Sequence, residues 1–215
     1  MRLLERLEYK LGRRAPQHLM LYIVIGMAIV FLSDFFLYPQ IGVTLSELFL
    51  FDRARIFAGE VWRILTFVFL PPDTSLIFIF FALYFYWMIG TGLESAWGAF
   101  RFDVYYLVGV LGTIVMGLVV GGATNVYLNL SLFFAFAVLY PDFEVRLFFF
   151  LPVKVKWLAI LDAVLFVVRF VFADWAGRVS MLVAIANFFL FFWRDFVDLF
   201  RNFRRKRQFK RDFRR

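Results

Sequence analysis

The chain has 215 residues, of which 63% are hydrophobic, and a formal net charge of +8. It contains no cysteine and one histidine, His18, which excludes disulfides and thiolate metal sites and leaves little room for imidazole chemistry. A soluble domain is nearer half apolar, and here the excess falls in discrete runs. The composition therefore predicts an integral, multi-pass membrane protein, and we expect neither a cofactor nor a bound metal.

Six apolar runs approach the roughly 20 helical residues that a hydrocarbon core about 30 Å thick requires. An open sheet would leave backbone groups unpaired in lipid, so all six are predicted to be helices. The predicted fold class is an all-α integral membrane protein, a bundle of six transmembrane helices. In chain order the runs are residues 19–37, 75–92, 104–122, 124–140, 157–173 and 179–193.

Three segments lie outside these runs or between them. The apolar segment 61–70 is too short to span and stops at Pro71-Pro72, so we place it in the first loop as short interfacial helices. Residues 1–18 are predicted to be a cytoplasmic amphipathic segment preceding a six-helix membrane domain, 19–193, and residues 194–215 a basic cytoplasmic tail. No cleavable signal peptide is evident, so the first run is expected to be retained.

The distribution of lysine and arginine predicts the topology. With six spans both termini share one side, and that side holds nineteen of the 24 basic residues, which places both termini in the cytoplasm. We expect the plasma (inner) membrane of a prokaryote. Aromatic residues interleave the basic tail, a pattern that also suits nucleic acid, but the tail directly follows a span. Anionic lipid is therefore the expected partner of the basic termini, and no nucleic acid is expected.

Ionisable residues inside a membrane are costly, so each is a functional hypothesis. Asp162 and Arg169 lie seven residues apart in the fifth run, on nearly the same helical face and about 10 Å apart. That distance is too long for a direct pair. Partners on neighbouring helices, or an Arg169 side chain extending to the outer surface, would explain both charges without a site. Asp34 lies near the outer end of the first run and is expected at the interface.

The fourth run is polar over its first half, which predicts a central position in the bundle or contact with a wet cavity. It carries Thr124, Asn125, Asn129 and Ser131, and the sixth run adds Asn187. We expect Asn129 and Ser131 to make the hydrogen bonds that fix this helix among its neighbours. The glycines of the third run are expected to permit close packing. The candidates for client contact are Asn125, Asn129, Ser131, Asp162, Arg169 and Asn187.

Four segments in order resemble the rhomboid superfamily of membrane proteins. The string GEVWRILTFVF, with Trp62 and Arg63, resembles the Trp-Arg motif of the family's first loop. The string GTGLESAWGAFRFDVYY resembles its junction between spans two and three, with Glu94, Gly98 and Arg101 on the family pattern. AFAVLYPD and FFFLPVKVKWLAI resemble the end of span four and the start of span five. The resemblance covers roughly residues 20–195 and shares the six-helix layout.

Active rhomboids resemble one another in a Gly-x-Ser-Gly serine on span four and a histidine on span six, with a histidine and an asparagine on span two near the oxyanion. In this chain the register from AFAVLYPD places Val126 where the nucleophile would be, and neither span two nor span six has a histidine. The resemblance therefore implies a catalytically inactive pseudoprotease that binds or escorts transmembrane segments of client proteins. It also implies a client surface on spans two, four and five.

Two other functions stay open. The first is a divergent intramembrane serine protease using Ser131 or Thr124, although a serine hydroxyl needs an adjacent base and no lysine lies in any run. The second is a small transporter organised around Asp162, Arg169 and Asn129, although no internal inverted repeat is visible.

Overall fold

Helices make up most of the structure, a computed structural model that describes residues 8–10, 12, 15–73, 75–147, 151–189 and 191–192. The amphipathic segment predicted within 1–18 lies mainly outside these residues, as does the basic tail predicted at 194–215. The helices are α1 (Leu19–Ile41), α2 (Leu45–Phe49), α3 (Arg53–Phe57), α4 (Arg63–Thr66), α5 (Leu76–Trp97), α6 (Ala99–Val120), α7 (Val126–Leu139), α8 (Val155–Phe172) and α9 (Trp175–Phe189).

Each of the six predicted runs falls on a helix, but the helices differ in their fitness to span a membrane. Among the described residues, α1, α5 and α6 are long and apolar enough to cross a bilayer, which agrees with the predicted membrane-protein class. Helices α7 and α9 are apolar but shorter, and α7, with 14 residues, is about 21 Å long. Helix α8 carries Lys156, Asp162 and Arg169. Six spans thus remain a prediction.

The junction between α5 and α6 is much shorter than the sequence predicted. The runs 75–92 and 104–122 left Arg101 in a loop, whereas α5 continues to Trp97 and α6 begins at Ala99. Gly98 alone makes the turn, with φ 85° and ψ 153°, a conformation that is essentially restricted to glycine. Because one glycine reverses the chain, both helices gain a turn or more and Arg101 lies in the first turn of α6.

The first loop folds into short helices that are tied to the rest of the bundle. The Asp34 carboxylate on α1 accepts hydrogen bonds from the backbone N–H groups of Leu45 and Ser46 at the start of α2. Strands β1 (Phe51–Asp52) and β2 (Gly122–Ala123) pair antiparallel and join the loop to the α6–α7 connection. A 3-10 helix, Phe67–Phe69, follows α4.

The apolar segment 61–70 enters the core instead of lying wholly at an interface as predicted. Phe67 is fully buried and Val68 nearly so, while Val61 and Leu65 on the other side of the segment are exposed. Phe67 packs edge-on against Phe51. Since Gly117 of α6 also contacts the Phe51 ring, the glycine of the third run brings α6 against the first loop, in keeping with its predicted packing role.

A β-hairpin between α7 and α8 was not predicted, and the purely helical class is corrected on this point. Strands β3 (Glu144–Leu147) and β4 (Leu151–Lys154) pair antiparallel, with Glu144 opposite Lys154. The exposed Asp142 carboxylate accepts hydrogen bonds from Lys156 Nζ at 2.8 Å and Lys154 Nζ at 3.4 Å. These two lysines lower the pKa of Asp142. In β3, apolar Val145 and Leu147 alternate with charged Glu144 and Arg146, a pattern typical of a strand, but four residues are too few to distinguish a strand from a loop in the sequence.

Candidate functional site

A cavity of about 320 Å³ lies between α5, α7 and α8. Its wall is mostly apolar and contains a few polar groups, a composition typical of ligand sites. Each helix contributes residues three and four positions apart, so that one stripe of each helix faces the cavity. On α5 they are Ala82, Phe85 and Tyr86, on α7 Val126, Tyr127, Asn129, Leu130 and Phe133, and on α8 Asp162, Leu165, Phe166 and Arg169.

Asp162 and Arg169 both line this cavity. They are seven residues apart on α8, so their Cα atoms are about 10.5 Å apart along the helix axis. Among the described residues neither has an ion-pair partner within 4 Å. The partners expected on neighbouring helices are thus not found in the described part of the chain, and Asp162 and Arg169 instead attract each other over a longer distance. α8 presents one carboxylate and one guanidinium to the cavity, with Leu165 and Phe166 between them.

Asn129 supplies the third polar group, from α7. Its residue is 5% exposed, and its Oδ1 atom has no hydrogen-bond partner among the described residues. Its side chain interacts with that of Tyr86, which also lines the cavity. A buried amide oxygen without a partner costs free energy. The sequence predicted that the polar fourth run lies centrally in the bundle or beside a wet cavity. Asn129 agrees with this prediction, because it is buried and belongs to the cavity wall.

Ser131, the weak nucleophile candidate, lies apart from the cavity lining. Its hydroxyl donates to the Leu128 carbonyl at 2.8 Å, within its own helix, and the residue is 2% exposed. Ser131 also contacts the neighbouring helix α6, as the sequence predicted. Its backbone carbonyl accepts the Tyr105 hydroxyl at 3.2 Å, and its side chain interacts with the same hydroxyl.

Asn125 and Val126 begin α7 at the end of the cavity nearest the first loop. Asn125 Nδ2 donates to the carbonyls of Val68 and Leu70, at 3.1 and 2.8 Å. Its amide thus ties α7 to the chain just before Pro71, and it is a structural group outside the cavity lining. Val126, at the position that the resemblance assigns to a nucleophile, lines the cavity and is 48% exposed.

Asn187, the remaining candidate, holds α9 against α6 and does not line the cavity. Its Nδ2 atom lies 3.4 Å from the Tyr105 carbonyl, and it packs against Gly109 together with Leu128. A side-chain Cβ at Gly109 would come within 2.8 Å of Asn187 Nδ2. The glycine permits the close approach that the sequence predicted, and Asn187 is a packing residue in the described structure.

Trp62 and Arg63 organise the first loop. Arg63 is 1% exposed, and its Nη1 atom donates to the carbonyls of Glu47 and Leu50 at 2.6 and 2.8 Å. Its Nε atom donates to the Glu60 carboxylate at 2.6 Å. Trp62 Nε1 donates to the Leu48 carbonyl. One buried cation therefore satisfies the carbonyls at the end of α2 and fixes α4 beside it.

Glu94, Gly98 and Arg101 act at the opposite end of the bundle. The Glu94 carboxylate accepts the backbone N–H of His18 at 2.9 and 3.1 Å, at the start of α1. Arg101 pairs with Glu8 at 2.9 Å. These contacts join the α5–α6 junction to the N-terminal region, so the five residues that match the family motifs all serve structural contacts here.

The sequence missed two aromatic residues of the cavity, Tyr86 and Tyr127, because a tyrosine in an apolar run reads as ordinary membrane composition. Tyr86 lies four residues after Ala82 and Tyr127 one residue after Val126. Neither spacing indicates a cavity in the sequence, because the cavity forms only when the helices pack together. No protein-family model, curated protein or solved structure matches this chain.

Proposed function

We propose that this chain is a catalytically inactive, rhomboid-like membrane protein with six spans. It binds or escorts transmembrane segments of client proteins without cutting them. The observation that carries the proposal is the cavity between α5, α7 and α8, which is lined by Asn129, Asp162 and Arg169. These are spans two, four and five in the predicted order, the helices to which the resemblance assigns the client surface.

The chemistry of the cavity suits a helix with some polar character. A client side chain that is unfavourable in lipid would exchange that environment for Asn129, Asp162 or Arg169. Apolar side chains of the client would pack against Phe85, Leu130 and neighbouring wall residues. The short α7, about 21 Å long, would thin the surrounding bilayer and lower the cost of admitting a helix sideways.

Cysteine cross-linking tests the proposal cleanly because the chain has no native cysteine. Leu165→Cys places a thiol in the cavity wall, and Leu111→Cys places one on the exposed surface of α6, away from the cavity. Each variant is reconstituted in nanodiscs with a synthetic transmembrane helix of about 23 residues that carries one cysteine and polar residues at mid-membrane. We expect disulfide formation at Leu165→Cys well above that at Leu111→Cys. Equal yields at the two positions would reject a client site in the cavity.

Proteolysis is the first alternative, with Ser131 or Thr124 as the candidate nucleophile. The Ser131 hydroxyl is engaged with the Leu128 carbonyl and lies outside the cavity lining, which favours binding over cleavage. A fluorogenic transmembrane substrate incubated with the purified protein decides between them. Cleavage that disappears in Ser131→Ala, and in no cavity variant, would replace the proposal with an enzyme.

Transport is the second candidate function. It is favoured by one observation, the convergence of Asp162, Arg169 and Asn129 on a single cavity. A solute or proton flux into liposomes that Asp162→Asn abolishes would establish it. We expect no such flux, because the apolar wall between Asp162 and Arg169 offers no continuous polar path along α8.

A further inference from the structure

The cavity wall on α8 has a charge pattern that a bound helix has to match. Asp162 and Arg169 are separated by 700° of helical rotation, or about 20° from the same face, and by about 10.5 Å along the axis. Between them Leu165 and Phe166 present apolar surface to the cavity. From the hairpin end of α8 towards the first loop, this face of the helix therefore carries an anion, an apolar segment and a cation.

Neither charge has a close ion-pair partner among the described residues. No described residue makes an ion pair within 4 Å of Asp162 or Arg169, and the two attract each other only over a longer distance. Arg63, in contrast, is enclosed by acceptors from Glu47, Leu50 and Glu60. Two opposite charges without a close partner are costly inside a membrane, and a ligand that pairs with both of them would offset that cost.

We infer that the cavity selects transmembrane segments that carry one basic and one acidic residue seven positions apart on one face, with apolar residues between them. This inference rests on the proposed function and specifies its substrate class. The basic residue of the client lies opposite Asp162 and the acidic residue opposite Arg169. A helix running alongside α8 has the same rise per residue, so the same spacing of seven brings both pairs into register.

The same spacing explains why such a client would leave lipid. Two opposite charges seven residues apart on a helix attract each other but are too distant to form a close ion pair, so each keeps a large cost in the hydrocarbon core. In the cavity each charge meets a complementary partner in a low-dielectric setting, where charge pairs discriminate strongly between partners. An all-apolar helix gains nothing from Asp162 or Arg169, and it would leave both of them unpaired.

A set of synthetic helices of about 23 residues tests the inference in nanodiscs of zwitterionic lipid, which removes competition from anionic headgroups at Arg169. The first probe has Lys and Asp seven residues apart with a cysteine midway. The second has the same composition but places Lys and Asp five residues apart, about 140° from the same face. The third is all Leu and Ala with the same cysteine. Each is cross-linked to Leu165→Cys and, as a control, to Leu111→Cys.

We expect the seven-residue probe to cross-link to Leu165→Cys about tenfold more efficiently than either control probe, a factor that corresponds to one good charge pair. Arg169→Asp, added to the Leu165→Cys variant, leaves two anions on this face of α8 and should abolish the preference for the seven-residue probe. Asp162→Arg combined with Arg169→Asp should restore it, because the probe binds in the opposite direction. Restoration by the double variant separates recognition of charge from a folding defect in the single variant.

The outcomes separate the two claims. Equal cross-linking of all three probes at Leu165→Cys, above that at Leu111→Cys, would retain the client site and overturn the charge pattern. Yields at Leu165→Cys no higher than at Leu111→Cys for every probe would overturn both. A preference for the seven-residue probe that survives Arg169→Asp would also overturn the inference, since the selection would then come from other wall residues.

Discussion

Arg63 and Arg169 are both arginines among apolar helices, yet their surroundings are opposite. Arg63 is 1% exposed and donates to two backbone carbonyls and to the Glu60 carboxylate. Arg169 is exposed on the cavity side of α8 and has no ion-pair partner within 4 Å among the described residues. The first arginine completes the fold of the first loop, whereas the second leaves a charge available to a ligand.

The same contrast extends to the asparagines of α7. Asn125 donates to the carbonyls of Val68 and Leu70, while Asn129, one helical turn later, keeps an unpartnered Oδ1 atom beside the cavity. Residue type and burial are alike in these two positions. Asn187 also has an unpartnered Oδ1 atom but lies outside the cavity lining, so Asn129 is distinguished by its place in the cavity wall together with its unpartnered oxygen.

The largest expected effect comes from removing the satisfied arginine. Arg63→Met should lower the free energy of unfolding by about 3 kcal/mol or more, because it leaves Glu60 and two carbonyls without their buried partner. Steric-trap unfolding in bicelles measures this change. Arg55→Met, an exposed position in the same loop, is the matched control and should change stability by less than about 0.5 kcal/mol. A similar small loss at Arg63 would remove the contrast with Arg169.

The two asparagines of α7 provide a closer test. Asn125→Leu should cost about 2 kcal/mol, since two carbonyls near Pro71 lose their donor. Asn129→Leu, of similar shape, should cost less than about 1 kcal/mol, because the loss of the contact with Tyr86 is offset by removal of an unpartnered oxygen. The thermal unfolding midpoints of both variants, followed by tryptophan fluorescence in detergent, give the comparison. Equal losses would show that Asn129 is as structural as Asn125.

A smaller loss is expected at the α5–α6 junction. Gly98→Ala should destabilise the protein by about 1–2 kcal/mol, because a side chain is strained at the backbone angles of this residue. Gly122→Ala serves as the control, since its nearest neighbour to a new Cβ, the Phe51 carbonyl, lies 3.7 Å away. Both variants should retain cross-linking of a client helix at the cavity. A loss of cross-linking in Gly98→Ala alone would connect the junction to the site.

The smallest effect depends on pH and concerns the hairpin. The pKa of Asp142 lies below its ordinary 3.8 because Lys156 and Lys154 stabilise the carboxylate. The stabilisation is therefore present above about pH 4 and is lost as the pH falls through the lower folded pKa. Asp142→Asn should have a slightly lower unfolding midpoint than the native chain at pH 7, and the difference should vanish near pH 2.

Helix content was predictable from the sequence because apolar runs bounded by charged or turn residues fix helical segments without knowledge of packing. Each predicted run coincides with a helix over most of its described residues, and the polarity of the run 124–140 correctly indicated a buried position for Asn129. The boundaries were less predictable. The sequence marks residues 93–103 as polar, but only the backbone angles of Gly98 show that one residue replaces the predicted loop.

The sequence did not predict which partners the polar side chains would have. Asn125, Asn129 and Ser131 look equivalent in an apolar run, and only the packed bundle separates a tie to the first loop, a cavity amide and a hydroxyl bonded to its own helix. Asp162 and Arg169 share a face by spacing alone, but a cavity beside that face depends on how α5 and α7 pack. Long-range contacts of this kind have no local sequence signal.

The central claim is that the cavity is open to a helix and becomes occupied by one. A nitroxide attached to Leu165→Cys in nanodiscs measures this through its collisions with a water-soluble nickel reagent. The account predicts frequent collisions in the free protein and a marked drop when the helix with Lys and Asp seven residues apart is added. A nitroxide at Leu111→Cys should not respond. Collision rates at Leu165→Cys that stay unchanged on addition of the helix would contradict the account.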